Sequence, residues 1–249
     1  MGNQLKELQR LDLSGADLTK CCLVDSDLTK LNLQYAILIN VVLSGSDLSN
    51  AILTNANLMR AVLVNTKLHC TNLVGANLMG ANLTVADAFM IDLGGANLVE
   101  ANLTAICMTH SHLTGADLTR ANLTGAKLNG IYLINACLTN ANLTGADLHN
   151  ARLTKAVLRG ADLTAVDLTI ADLTDADLTG VDLTSANLTG ANLTNTNLTG
   201  AILIGANLTN VNLLNTNLEK ADLRGANLKG TNLTQAKIKG ANLAGIELP

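Results

Sequence analysis

Leucine stands at every fifth position from Leu8 to Leu248, and only Ala88, Met108 and Ile238 interrupt the run. Few backbones can bury one side chain in five for the whole length of a protein. In an α-helix five residues turn the side chain by roughly 140° beyond a full revolution, so successive leucines would spiral around the axis. In a straight strand an odd spacing sends Leu13 and Leu18 to opposite faces. What remains is a chain that bends once per repeat, each short extended side adding one leucine to a shared interior. The period predicts a solenoid.

The other positions agree. The residue two before each leucine is small, Ala in 29 of 48 repeats, and a spacing of two puts it on the same inward face as the leucine. Between them stands Asn in 18 repeats and Asp in 14, facing outward, where a short polar side chain can bond nearby backbone and steady a turn. Thr usually follows the leucine, and then often Gly or Asn, residues that tolerate the positive φ of a type II turn. Each repeat therefore reads as a side and a corner, with the number of sides per coil left open by the spacing.

Stretches such as Ala121-Asn122-Leu123-Thr124-Gly125 and Ala161-Asp162-Leu163-Thr164-Ala165 resemble the pentapeptide-repeat family and its motif A(D/N)LXX. The resemblance covers about residues 11 to 248. It implies an all-β fold, a right-handed parallel quadrilateral β-helix with four repeats and twenty residues per coil, about 12 coils in all. At about 4.8 Å per coil such a rod would be roughly 58 Å long. It would be quasi-one-dimensional, each coil touching only its neighbours.

Unbroken register leaves no room for a linker, so residues 11–249 form a single predicted domain. Residues 1–10 depart from the pattern and favour helix, which makes them a candidate N-terminal cap over the first coil. No apolar run has the length of a membrane span and the N-terminus lacks a long apolar stretch, so a cytoplasmic protein is expected. Five cysteines at scattered repeat positions read as free thiols. Asn-Leu-Thr triplets that match the glycosylation sequon, such as the one at Asn102, are by-products of the repeat. A net charge of −4 and three aromatics, Tyr35, Phe89 and Tyr132, give no basic, aromatic-studded surface, so direct nucleic-acid binding is not expected.

Catalysis needs groups converging in a pocket, and a filled solenoid offers flat or ridged outer faces instead. No phosphate-binding glycine loop or nucleophile elbow is present. Cys107, His110 and His112 lie close in sequence but fall on outward positions spanning a corner, with no fourth ligand at zinc spacing. The sequence therefore predicts no catalytic residues, no metal and no cofactor.

The exceptions to the repeat carry the remaining information. Ala88 replaces an inward leucine, and Ile91, Ile106 and Met108 nearby suggest a repacking that conserves volume. Phe89 and Met90 beside it suggest a bulge. With twenty residues per coil, outward apolar residues form columns: Ile39, Met59, Met79 and Val99 on one face, and Val42 and Val62 beside Val24 and Val64 on the next. A contiguous apolar patch of this kind is a candidate protein interface. Asp162, Asp167, Asp172, Asp177 and Asp182 fill five consecutive outward positions, and no Lys or Arg occurs from residue 160 to 218, which makes them a candidate acidic surface. His112, Tyr132 and Arg152 share one face as a small polar site.

These features point first to a non-enzymatic scaffold or regulator that binds an unidentified protein through its flat faces. The family resemblance adds regulation of cell differentiation in cyanobacteria as a setting. A second reading, also implied by the resemblance, is a DNA-mimicking topoisomerase-binding protein, although such members carry a C-terminal helical dimer module and strongly negative faces. A third is an ice- or water-ordering surface built from the outward Asn and Thr of residues 160 to 213. Exposed core at a solenoid end favours association, so a monomer or an end-to-end dimer through Ile246 and Leu248 is expected.

Overall fold

A computed structural model describes residues 12–246, and the candidate cap at 1–10 and Leu248 lie outside them. Outward residues two positions after a corner pair in parallel with the residue twenty further on, from Asp12↔Asn32 to Asp222↔Asn242, with the single exception of Asn212. The chain therefore closes a coil every twenty residues, which at five residues per corner makes four sides. We number the faces by their inward columns: face 1 from Leu13, face 2 from Leu18, face 3 from Leu23 and face 4 from Leu28. Among the described residues no helix is long and apolar enough to cross a membrane.

One repeat shows how the sequence produces this path, because every N–H in it has a partner. The Leu33 N–H donates to Ile52 O in the next coil at 2.7 Å, and the Tyr35 N–H donates to Thr54 O at 3.1 Å. The Ile37 N–H donates back to Ala16 O at 2.9 Å, and the Ala36 N–H closes the corner on Leu33 O at 3.1 Å. The fifth, on Gln34, donates to Oδ1 of Asn32 at 3.2 Å. This last bond explains the preference for Asn or Asp: a side-chain oxygen there satisfies the one amide of the repeat that no backbone carbonyl receives. Thr after the leucine adds a second donor, as where the Thr84 N–H and hydroxyl both donate to Asn82 Oδ1, at 3.1 and 2.6 Å.

The corner residue takes positive φ, 50 to 60° at most side-chain-bearing positions and somewhat more at Gly. That is the conformation a type II turn requires at its third residue, and it penalises L-residues with a Cβ. Val85 and Ile170 adopt it at φ 51° and 52° despite β-branching.

Leucines and alanines fill the interior, nearly all buried from Leu28 to Leu228. Where Ser or Thr replaces a buried small residue, its hydroxyl donates to a backbone carbonyl in the coil below, as Thr66 does to Leu43 O at 3.1 Å, Thr71 to Leu48 O at 2.9 Å and Ser111 to Ala88 O at 3.1 Å. Ala88, Ile91, Ile106 and Met108 are fully buried together. The expected bulge at Phe89 and Met90 is absent. Asp87 pairs with both Lys67 and Cys107, and Met90 takes an ordinary corner φ of 55°, so the ladder runs through without an added residue.

Two departures from a sealed rod occur near its ends. Among the described residues a cavity of about 220 Å³ lies within the first coils, lined by leucines including Leu13, Leu18, Leu23 and Leu28. At the other end Asn212 and Asn232 do not pair, and a cleft of about 250 Å³ lies between Asn210–Leu214 and Gly230, Asn232 and Gln235.

Candidate functional site

The apolar columns lie on either side of one corner. Ile39, Met59, Met79 and Val99 follow the leucines of face 2, the corner carries Asn40, Arg60, Gly80 and Glu100, and Val42 and Val62 begin face 3 beyond it. Val42 and Val62 are bridge partners, and Cys22 pairs with Val42 below. Val24 and Val64 lie at the far edge of face 3, with Ser44 between them. Val24 is 44% exposed, whereas the other seven are half-buried, each stacked between coils with an outer rim left to solvent. The result is a low apolar strip rather than a pocket, and the Arg120 to Glu100 ion pair at 2.8 Å closes its upper end.

The strip departs from the local rules. Val42 and Val62 occupy the position whose side-chain oxygen would receive the N–H of Ser44 and Val64, and neither can accept it. On the face 2 side of the corner the rule is kept at Met59, Met79 and Val99, whose N–H groups donate to Asn57, Asn77 and Asn97 Oδ1 at 3.2, 3.1 and 3.0 Å, and broken only at Ile39, which follows Ile37.

The acidic residues do not form one surface. Asp162 and Asp182 are bridge partners on face 3, but Asp167 is on face 4, Asp172 on face 1 and Asp177 on face 2, so the five encircle the rod. Each receives the N–H of the threonine two residues on, at 2.8 to 3.1 Å. Partial burial pushes the Asp162, Asp172 and Asp177 carboxyls upward, but the threonine hydroxyls and amides outweigh it and hold all three below the usual carboxylate range. Arg159 adds to this at Asp177, its Nε donating to Oδ2 at 2.6 Å.

Two ring ladders flank the corner between faces 4 and 1. On face 1 the His112 and Tyr132 rings stack with centroids 4.5 Å apart and planes 10° from parallel, and the Arg152 guanidinium covers the other side of Tyr132 at 5.0 Å. On face 4, Phe89 meets His69 edge-on at 6.4 Å, and it meets the corner residue His110 edge-on at 6.2 Å. His69 Nε2 lies 2.7 Å from Asp87 Oδ2 but off the hydrogen-bonding direction. Gly130 is required beside His110, because a Cβ there would lie 2.5 Å from the imidazole Nδ1. The sequence places His112, Tyr132 and Arg152 on one face, but the Phe89 ladder was obscured by the expected bulge. Its signal is the coil spacing, since His69 and Phe89 are twenty residues apart.

Cys107, His110 and His112 fall on face 4, a corner and face 1, and all five cysteines are free. Among the described residues no group of three or more His, Cys, Asp or Glu is placed to hold a metal ion.

The family model described as pentapeptide repeats matches in successive copies over residues 7–84 and 96–248. HetL, a pentapeptide repeat protein involved in heterocyst differentiation regulation in the cyanobacterium Nostoc sp., is 32% identical, with 100% of this chain and 97% of that chain covered and a TM-score of 0.28. QnrB1, a plasmid-mediated fluoroquinolone resistance protein, is 18% identical in a trypsin-treated form over 65% of this chain and 91% of its own, with a TM-score of 0.46. A pentapeptide repeat protein from the Arabidopsis thaliana thylakoid lumen is 30% identical over 43% of this chain and 63% of its own, with a TM-score of 0.16. A search of curated proteins by sequence gave no match.

Proposed function

The chain belongs to the pentapeptide-repeat family, whose members fold as right-handed quadrilateral β-helices, and from that premise we propose that it is a non-enzymatic scaffold whose protein partner docks on the strip around the corner of faces 2 and 3. The observation that carries this reading is the pair Val42 and Val62. Asn at either position would close a turn that valine leaves open, a bond worth about 1 kcal/mol. Apolar side chains kept there at a cost to the fold fit a surface shaped for contact, with the methionines of face 2 supplying adaptable apolar area. Regulation of cell differentiation is the biological setting proposed, by similarity to HetL.

The test replaces Val42 and Val62 by Asn and Met59 and Met79 by Thr, which restores the repeat consensus. The quadruple variant is expected to melt at or above the parent temperature and to lose partner capture from a lysate of the source organism. Unchanged capture would remove the strip from consideration as the interface.

A further inference from the structure

Charge along this rod is banded, and the bands are self-complementary on one face. Residues 110–159 hold five basic and two acidic side chains, net +3, whereas residues 160–218 hold six aspartates and no base. The boundary crosses face 1 between the coil of Arg152 and that of Asp172, which are bridge partners. Arg152 and Lys155 are exposed and make no ion pair among the described residues, and Asp175 is exposed at the corner directly above Lys155.

Bulk changes at the same boundary. Below it the column His112, Tyr132, Arg152 is tall, and none of these residues carries the short oxygen that closes its turn. Above it the column Asp172, Asn192, Asn212 is short and locked. Asn192 Nδ2 donates to Thr174 Oγ1 at 2.9 Å, and Asn212 Nδ2 donates to Thr194 Oγ1 at 2.9 Å and to Asn192 Oδ1 at 3.1 Å.

We propose that face 1 binds a second copy of this chain, the two rods lying side by side and antiparallel about a two-fold axis at the Arg152/Asp172 boundary. Such an axis lies in the interface, perpendicular to the rods, and keeps each lateral position opposite its equivalent, as an isologous contact requires. It sets Arg152 against Asp172 of the second copy and Lys155 against Asp175, each twice. It also sets Tyr132 against Asn192 and His112 against Asn212, tall side chains over short ones. Outward residues further along, such as Asn135 against Asn195 and Asp92 against Asn232, place no like charges together.

Eight coils overlap, about 38 Å at the coil spacing, on a side about 15 Å across. That is roughly 600 Å² per copy, near the lower end for specific interfaces, so the dimer is weak and salt-sensitive. Face 3 lies opposite face 1, and residues before the overlap project beyond it. Both docking strips therefore stay free, one at each end, which makes the assembly bivalent. The dimer does not depend on the strip being an interface.

The test is light scattering on the full chain at about 100 μM. In 50 mM salt a dimer is expected, and in 500 mM salt a monomer. Arg152→Glu with Lys155→Glu places like charges in both contacts, and separately Asp172→Asn with Asp175→Lys removes one charge pair and makes the other repulsive; each variant is expected to weaken self-association at least tenfold. Mixed one to one, the two variants bring opposite charges together in three of the four contacts and like charges in none, and are expected to form a heterodimer. Circular dichroism verifies that each variant is folded. A wild-type monomer in low salt overturns the proposal. So does a dimer that both variants retain, since pairing at the ends through Ile246 ignores these charges, and so does a mixture that stays monomeric.

Discussion

Thr84 gives both its N–H and its hydroxyl to one oxygen, Asn82 Oδ1, and the same pattern recurs along the rod, as at Thr104 and Asn102. Oxygen at this position thus matters more than charge. Asn82→Asp is expected to leave the thermal midpoint nearly unchanged. Asn82→Leu leaves two donors without their acceptor and is expected to cost about 1 to 3 kcal/mol in denaturant unfolding.

Ala88 tests the packing of the core. It is fully buried with Met108 one coil above and Ile91 and Ile106 nearby. Ala88→Leu restores the repeat consensus yet adds volume where neighbours already occupy it, and is expected to destabilise by about 1 to 3 kcal/mol. Met108→Leu conserves volume and is expected to cost less than about 1.5 kcal/mol.

Corner residues report backbone strain. Val85 holds φ at 51° with its side chain half exposed, so Val85→Gly is expected to raise stability by about 1 kcal/mol. Gly130→Ala is expected to do the reverse, because its Cβ would meet the His110 ring.

Acid should weaken the rod in a defined direction. Hydrogen bonds hold Asp162, Asp172 and Asp177 below the usual carboxylate range against partial burial. Groups depressed in the folded state stabilise it above the unfolded value of about 3.9 and lose that contribution as pH falls through the folded value. The melting midpoint is therefore expected to be flat from pH 8 to about 5 with respect to these groups and to fall below about pH 4. Asp162→Asn is expected to reduce the size of that fall, measured by calorimetry across the range.

Much of this was legible in the sequence because one period assigns every residue an inside, an outside or a corner. The leucine spacing gave the solenoid, and the small residue two before it gave the second inward column. The coil length came from family resemblance, since five-residue spacing is equally compatible with other numbers of sides. The role of Asn and Asp was visible only as a turn preference, because the identity of the orphaned amide depends on where the next coil lies. The acidic run shows the limit most clearly: Asp162 to Asp182 are consecutive in register, yet successive repeats face successive sides, so a sequence cluster becomes a ring. Phe89 hides for a related reason: within its own repeat it looks like an intruder, and its partner His69 stands a full coil away.

Between Asn212 and Asn232 the ladder misses a rung, and a cleft opens beside it. Each coil of a solenoid is held chiefly by the one before it, so a missing rung near one end gives the rod a direction of fraying. Amide protons from residue 230 onward should exchange with solvent well before those of the middle coils. A pull on the C-terminus should peel the chain away one coil at a time from that end, leaving the strip near the other end intact until last.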